Sequence, residues 1–187
     1  VRQLTDYIKV YPGVITPSLC AAVLDDLARA EWRAHSWQGY GAEPIEHHSE
    51  QELTVTDGHS PVITDHVAHC VATALQAYVN ELADPGLRGG SGISRPRYNR
   101  YQINNVMEQH CDHIYDLFDG DRKGIPILSV VGALNDNYKG GEFVMFEDTH
   151  IPLPAGSVMV FPSVFLYPHR VEPITEGIRY SLVSWAW

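Results

Sequence analysis

Three cysteines among 187 residues, Cys20, Cys70 and Cys111, have neither the spacing of a zinc site nor the even count of a disulfide framework. Their scarcity fits reduced thiols and a cytoplasmic setting. Basic side chains are also few. Thirteen Lys and Arg against 23 Asp and Glu leave a formal charge of -10, which argues against a nucleic-acid partner but leaves room for a small basic substrate. No apolar run approaches the ~20 residues of a membrane helix, so no membrane partner is expected. The first residues lack the basic-then-apolar order of a signal peptide, and the start at Val1 leaves a removed leader open. Internal repeats and low-complexity tracts are missing as well. What is present, 44% apolar and 19% charged residues, is the balance of a soluble globular chain, and the length predicts one domain over 1–187.

Residues 1–90 read as supporting structure. From Pro17 to about Ala34, Cys20, Val23, Leu24, Leu27 and Ala28 recur at helical spacing behind a Thr16-Pro17 start suited to an N-cap and first turn. A second helix is predicted from Ser60-Pro61 to Leu82, with Val62, His66, Val67, Val71, Leu75 and Tyr78 on one side and Asp84-Pro85-Gly86 as its stop. Residues 91–187 instead carry short β-rich runs between glycine and proline turns: 94–112, 127–135, 142–146, 157–161 and 164–187. The fold class read from this order is α+β: a double-stranded β-helix (a cupin-like jelly roll) buttressed by N-terminal helices.

Five side chains in the second half carry the chemistry: Tyr101, His110, Asp112, His169 and Arg179. His110 and Asp112 stand at i and i+2, so on a strand both project from one face, with Cys111 turned the other way into the core. His169 completes a set of two imidazoles and one carboxylate, the facial arrangement that holds non-haem Fe(II) and leaves positions open. Between His169 and Arg179, the segment 172–177 reads as a turn. A hairpin with its apex near Ile174 would place the two side chains opposite each other, with Arg179 offering its fork to a carboxylate. The other histidines, and the late aromatics Tyr180, Trp185 and Trp187, are read as surface or packing residues.

These residues, with Arg100-Tyr101, Leu134-Asn135, Gly140-Gly141-Glu142-Phe143, the Pro154–Ser163 segment, His169-Arg170-Val171 and Gly177-Ile178-Arg179-Tyr180-Ser181, resemble the 2-oxoglutarate- and Fe(II)-dependent dioxygenases in their prolyl 4-hydroxylase-like branch. The likeness runs from about Arg97 to Trp187. It implies His110, Asp112 and His169 as iron ligands, Arg179 as partner of the distal carboxylate of 2-oxoglutarate, and Tyr101 and Ser181 as co-substrate contacts. The implied cofactors are Fe(II), 2-oxoglutarate and O2, with ascorbate a further candidate. The implied reaction is hydroxylation of an unactivated C-H bond, with 2-oxoglutarate decarboxylated to succinate. Departures from the branch are Met107 and Ala133, where relatives often carry tyrosines, and Phe143 in place of a common threonine.

The expected substrate is a prolyl residue in a peptide or protein. The alternatives are a free amino acid or small metabolite and, in another class, a non-catalytic jelly-roll binding module. Repair of alkylated nucleic acid fits poorly, because Trp185 stands where that pattern has a second arginine. Two aromatic loops, 33–52 with Trp37, Tyr40, His47 and His48, and 113–124 with Tyr115 and Phe118, are candidate lids that would exclude water.

Overall fold

The computed structural model describes residues 1–35, 51–83, 87, 92–112 and 126–187. The stop at 84–86, most of the first candidate lid and all of the second lie outside them. A 3-10 turn, Leu4–Tyr7, leads to β1 (Lys9–Tyr11), α1 (Pro17–Leu27), β2 (Arg33–Ala34), β3 (Thr54–Thr56) and α2 (Pro61–Leu82). There follow β4 (Arg97–Tyr101), β5 (Met107–His110), β6 (Leu128–Ala133), β7 (Lys139–Gly140) and β8 (Phe143–Met145). The chain continues through β9 (Thr149–Ile151), β10 (Val158–Pro162), β11 (His169–Val171), β12 (Ile174–Glu176) and β13 (Arg179–Ala186).

Both helices start where their caps require. Thr16 Oγ1 accepts the Leu19 N–H at 3.3 Å and Ser60 Oγ accepts that of Ile63 at 3.5 Å, each with proline in the first turn. The first helix ends at Leu27, short of the expected Ala34. Strand pairing takes over there: Arg33 and Ala34 join β3, and Trp32 donates its indole N–H to the Leu27 carbonyl. Asp26 is buried because it accepts the backbone N–H groups of His59 and Ser60 at 2.8 and 3.1 Å, tying α1 to the start of α2. The buried stripe of α2 is Thr64, Val67, Val71, Ala74, Leu75, Tyr78 and Leu82. Val62 and His66 of the expected face point to solvent. Among the described residues no helix is long and apolar enough to cross a membrane.

The strands form a seven-stranded sheet in the order β1-β10-β6-β13-β4-β3-β2, a four-stranded sheet β5-β11-β8-β9, and the pair β12-β7. All these pairings are antiparallel. Period-two alternation then divides the interior. Tyr98, Leu128, Val130, Val158, Val160 and Leu182 face the helices, whereas Tyr101, Val131, Met159 and Phe161 face the smaller sheet and meet Phe143, Met145 and Val171 there. The result is the jelly roll backed by helices that the sequence predicts.

The expected hairpin between His169 and Arg179 does not form. Its supposed apex, Ile174, begins β12, which pairs with β7. His169 pairs in the smaller sheet and Arg179 in the larger one. Gly177 at φ 78° makes the sharp turn into β13. The two residues therefore face each other across the gap between the sheets, not across one ladder.

Candidate active site

His110 and His169 are directly paired on β5 and β11, with ring centroids 4.2 Å apart. Each Nδ1 lies on a backbone carbonyl two residues earlier: Glu108 O at 2.8 Å for His110 and Tyr167 O at 3.0 Å for His169. A carbonyl only accepts, so each Nδ1 carries the proton and each Nε2 carries the lone pair. The Nε2 atoms stand 3.4 and 3.8 Å from Asp112 Oδ1. The three ligand atoms lie within 4.8 Å of one another. Two lone-pair nitrogens turned on a carboxylate oxygen repel each other until a cation comes between them. This donor set fits a divalent transition metal with an open face.

Asp112 lies just beyond the end of β5, so the shared strand face expected for the pair stops at His110. Its placement comes from the opposite sheet. Ser129 Oγ donates to Asp112 Oδ2 at 2.6 Å and Trp185 Nε1 donates to the same oxygen at 3.1 Å. Ser163 Oγ in turn meets Ser129 Oγ. Burial alone would raise the Asp112 pKa, but His169 and His110 in their protonated forms, together with the Ser129 hydroxyl, outweigh it and hold the carboxyl well below its usual range. His169 stacks on Phe143 at 5.3 Å and meets the edge of Phe161 at 5.1 Å. Desolvation in that aromatic slot pushes its pKa down to about 4, which keeps the imidazole neutral at pH 7.

Arg179 is 2% exposed, with Tyr101 as its register partner and its guanidinium carbon 4.8 Å from the Tyr101 ring centroid. Nη1 donates to Ser181 Oγ at 3.3 Å. Among the described residues no carboxylate pairs with it, and an unpaired buried guanidinium is a socket for an anion. Gly141, at φ 68°, lets the chain pass here, because a Cβ would collide with Ile174 Cδ1 and stand 3.1 Å from Arg179 Cδ. The His-Asp-His cluster, Arg179, Tyr101 and Ser181 line one pocket with about 410 Å³ of empty space, part of it open to solvent.

All six site residues expected from sequence thus line one pocket. Cys111 is half-buried, with Sγ 3.3 Å from Phe165 O, and not packed in the core as expected. Trp185, read as a packing residue, also donates a hydrogen bond to the Asp112 carboxylate. Counting by twos from Arg179 through Ser181 and Val183 reaches Trp185, so strand alternation could have found it. Ser129 and Ser163 carried no comparable signal.

Residues 96–187 match the model of the 2OG-Fe(II) oxygenase superfamily. The chain is similar to the PKHD-type hydroxylase tll1907 of Thermosynechococcus vestitus, 34% identical over 93 residues, covering 47% of this chain and 40% of that protein. It is also similar to the PKHD-type hydroxylase YbiX of Escherichia coli, 27% identical over 179 residues, covering 93% of this chain and 75% of that one. Among solved structures, a prolyl hydroxylase from Trichoplax adhaerens in complex with a hypoxia inducible factor peptide fragment shares the fold. It aligns with a TM-score of 0.74 and 16% identity, covering 98% of this chain and 84% of that one.

Proposed function

We propose that the chain, whose residues 96–187 match the 2OG-Fe(II) oxygenase superfamily, is a member of its prolyl 4-hydroxylase-like branch and hydroxylates an unactivated C-H bond of a prolyl residue in a peptide or protein. The observation that carries this reading is the pairing of a His-Asp-His cluster with an unpaired buried arginine in one pocket. His110, Asp112 and His169 would hold Fe(II), and Arg179 with Ser181 and Tyr101 would hold 2-oxoglutarate. When bound, the metal and co-substrate supply the O2 activation that cleaves the C-H bond and releases succinate. Ascorbate would serve as an accessory reductant.

The chain's own residues position and shield this chemistry. The carbonyls of Glu108 and Tyr167 fix the two imidazole tautomers, and Ser129 and Trp185 aim Asp112. Phe143 and Phe161 keep water from one side of His169. We read the whole chain as one domain in which 1–90 support the site-bearing 91–187. Support for a peptide substrate comes from the peptide-bound Trichoplax enzyme of the same fold. A free amino acid handled in the same pocket is the second reading. Succinate formation from 2-oxoglutarate with Fe(II), with and without proline peptides or free proline, tests the proposal. No succinate under any condition would favour a binding module. Mass spectrometry of the product for one added oxygen identifies the substrate.

A further inference from the structure

The β4 wall of the pocket carries a second arginine that the roles above leave unused. Arg97, Asn99 and Tyr101 alternate along β4, and all three line the pocket. Tyr101 is in register with Arg179 and Arg97 with Val183, so the two arginines sit at separate places on the ladder, roughly 13 Å apart along it. Trp185 fixes which end belongs to the metal. It holds Asp112 through Nε1, and the Arg97 guanidinium carbon lies 5.4 Å from its ring centroid. Arg179 therefore commands the co-substrate end, and Arg97 commands the metal end.

Three other described arginines have polar partners. Arg95 meets Asp65, Arg170 meets Glu172, and Arg100 donates to Thr54. Arg97 has neither an ion pair nor a hydrogen bond among the described residues, and its Nε is sealed from solvent. Asn99, 1% exposed, leaves its Oδ1 in the same condition. Loss of solvent pushes the Arg97 pKa down, yet a guanidinium keeps its charge at any working pH. A structural brace would be paired. A cation held over the Trp185 ring beside the reacting centre, with no ion pair or hydrogen bond of its own, is arranged for an anion that arrives with the ligand.

Resting on the dioxygenase reading, we propose that Arg97 determines substrate choice by receiving a carboxylate of the primary substrate while the neighbouring C-H bond faces the metal. The preferred substrate is then an acid whose free carboxylate lies close to the hydroxylated carbon. Two sources supply that group: the α-carboxylate of a free amino acid or chain end, or an acidic side chain beside the target residue.

Calorimetric binding to protein loaded with Fe(II) and 2-oxoglutarate, without O2, reads this without turnover. The probes are two matched pairs: N-acetyl-L-proline with its amide, and acetyl-Pro-Glu-amide with acetyl-Pro-Gln-amide. In the wild type, the acid of one pair binds roughly tenfold or more tightly than its neutral partner. Preference within the first pair assigns the α-carboxylate, and preference within the second assigns the side chain. Arg97→Met levels the pair and leaves 2-oxoglutarate binding where it was; Arg97→Lys keeps part of the preference. The Met variant should hold or raise its melting temperature, because it removes an unpaired ion. If it fails to fold, the Lys variant carries the comparison. Equal binding within both pairs, including none at all, overturns the assignment. So does a preference that survives the substitution, or a loss of 2-oxoglutarate affinity as large as the loss for the probe. Absence of succinate from the wild type would sink the dioxygenase reading itself, whereas succinate with level probe binding sinks only the role of Arg97.

Discussion

Replacing Arg179 by methionine should separate binding from stability, because the two respond with opposite sign. In the free protein the guanidinium is 2% exposed and has one hydroxyl partner and one aromatic face. Exchanging an unpaired buried ion for an apolar side chain of similar length is neutral or stabilising. The 2-oxoglutarate complex is the reverse case. There the substitution strands a carboxylate in a buried socket, a loss of about 3–5 kcal/mol, or roughly a 200- to 4,000-fold rise in Kd. Anaerobic titration calorimetry measures that rise, and thermal denaturation checks it by linkage. At 2-oxoglutarate of 100 times its Kd the wild type gains about 2.7 kcal/mol, while a variant bound 200-fold more weakly gains only about 0.2 kcal/mol at that concentration. Wild-type affinity in Arg179→Met would refute the socket. A fall of several kcal/mol in the unliganded variant would refute it equally, by making Arg179 a structural brace.

Two further outcomes are expected. Ser129→Ala removes a donor at 2.6 Å from Asp112 and should weaken metal binding about 10- to 100-fold, read by chelator competition, with little change in melting temperature; unchanged affinity would deny Ser129 its role. Metal-free protein should lose stability as pH falls from 6.5 toward 4. The native His169 binds its proton near 4 and the unfolded chain near 6.5, so the unfolded state takes up more protons in that window, and the loss amounts to about 3 kcal/mol. The contribution of Asp112, whose pKa is depressed, goes only below its unfolded value of 3.8, so the two windows stay apart. Urea denaturation of wild type and His169→Gln at pH 7 and pH 4.5 tests this, and parallel slopes would contradict it.

The sequence exposed the parts of the site that depend on local spacing. His110 and Asp112 stand two apart, and the caps at Thr16 and Ser60 each precede a proline; these are short-range relations that survive folding. The jelly roll itself was legible from many short runs punctuated by glycine and proline. Longer-range pairings were not. Nothing local tells Ile174 to leave its neighbours and join Lys139–Gly140, so a hairpin was the natural reading of the 169–179 stretch. The support of Asp112 was hidden for a related reason. Ser129, Ser163 and Trp185 come from three different strand regions, and small hydroxyls on a β-rich run look like filler until the sheets close. Arg97 showed no motif at all. Its interest arises only from lacking an ion pair and a hydrogen bond beside Trp185, which is a property of the packed molecule.

Anaerobic titration of the metal-free protein with Fe(II) tests the centre most directly. The expected result is one tightly bound ion per chain, lost in Asp112→Ala and in His169→Ala while both variants keep their fold. Binding that survives in those variants, or no binding in the wild type, would contradict the assignment of His110, Asp112 and His169 as the ligands of one metal.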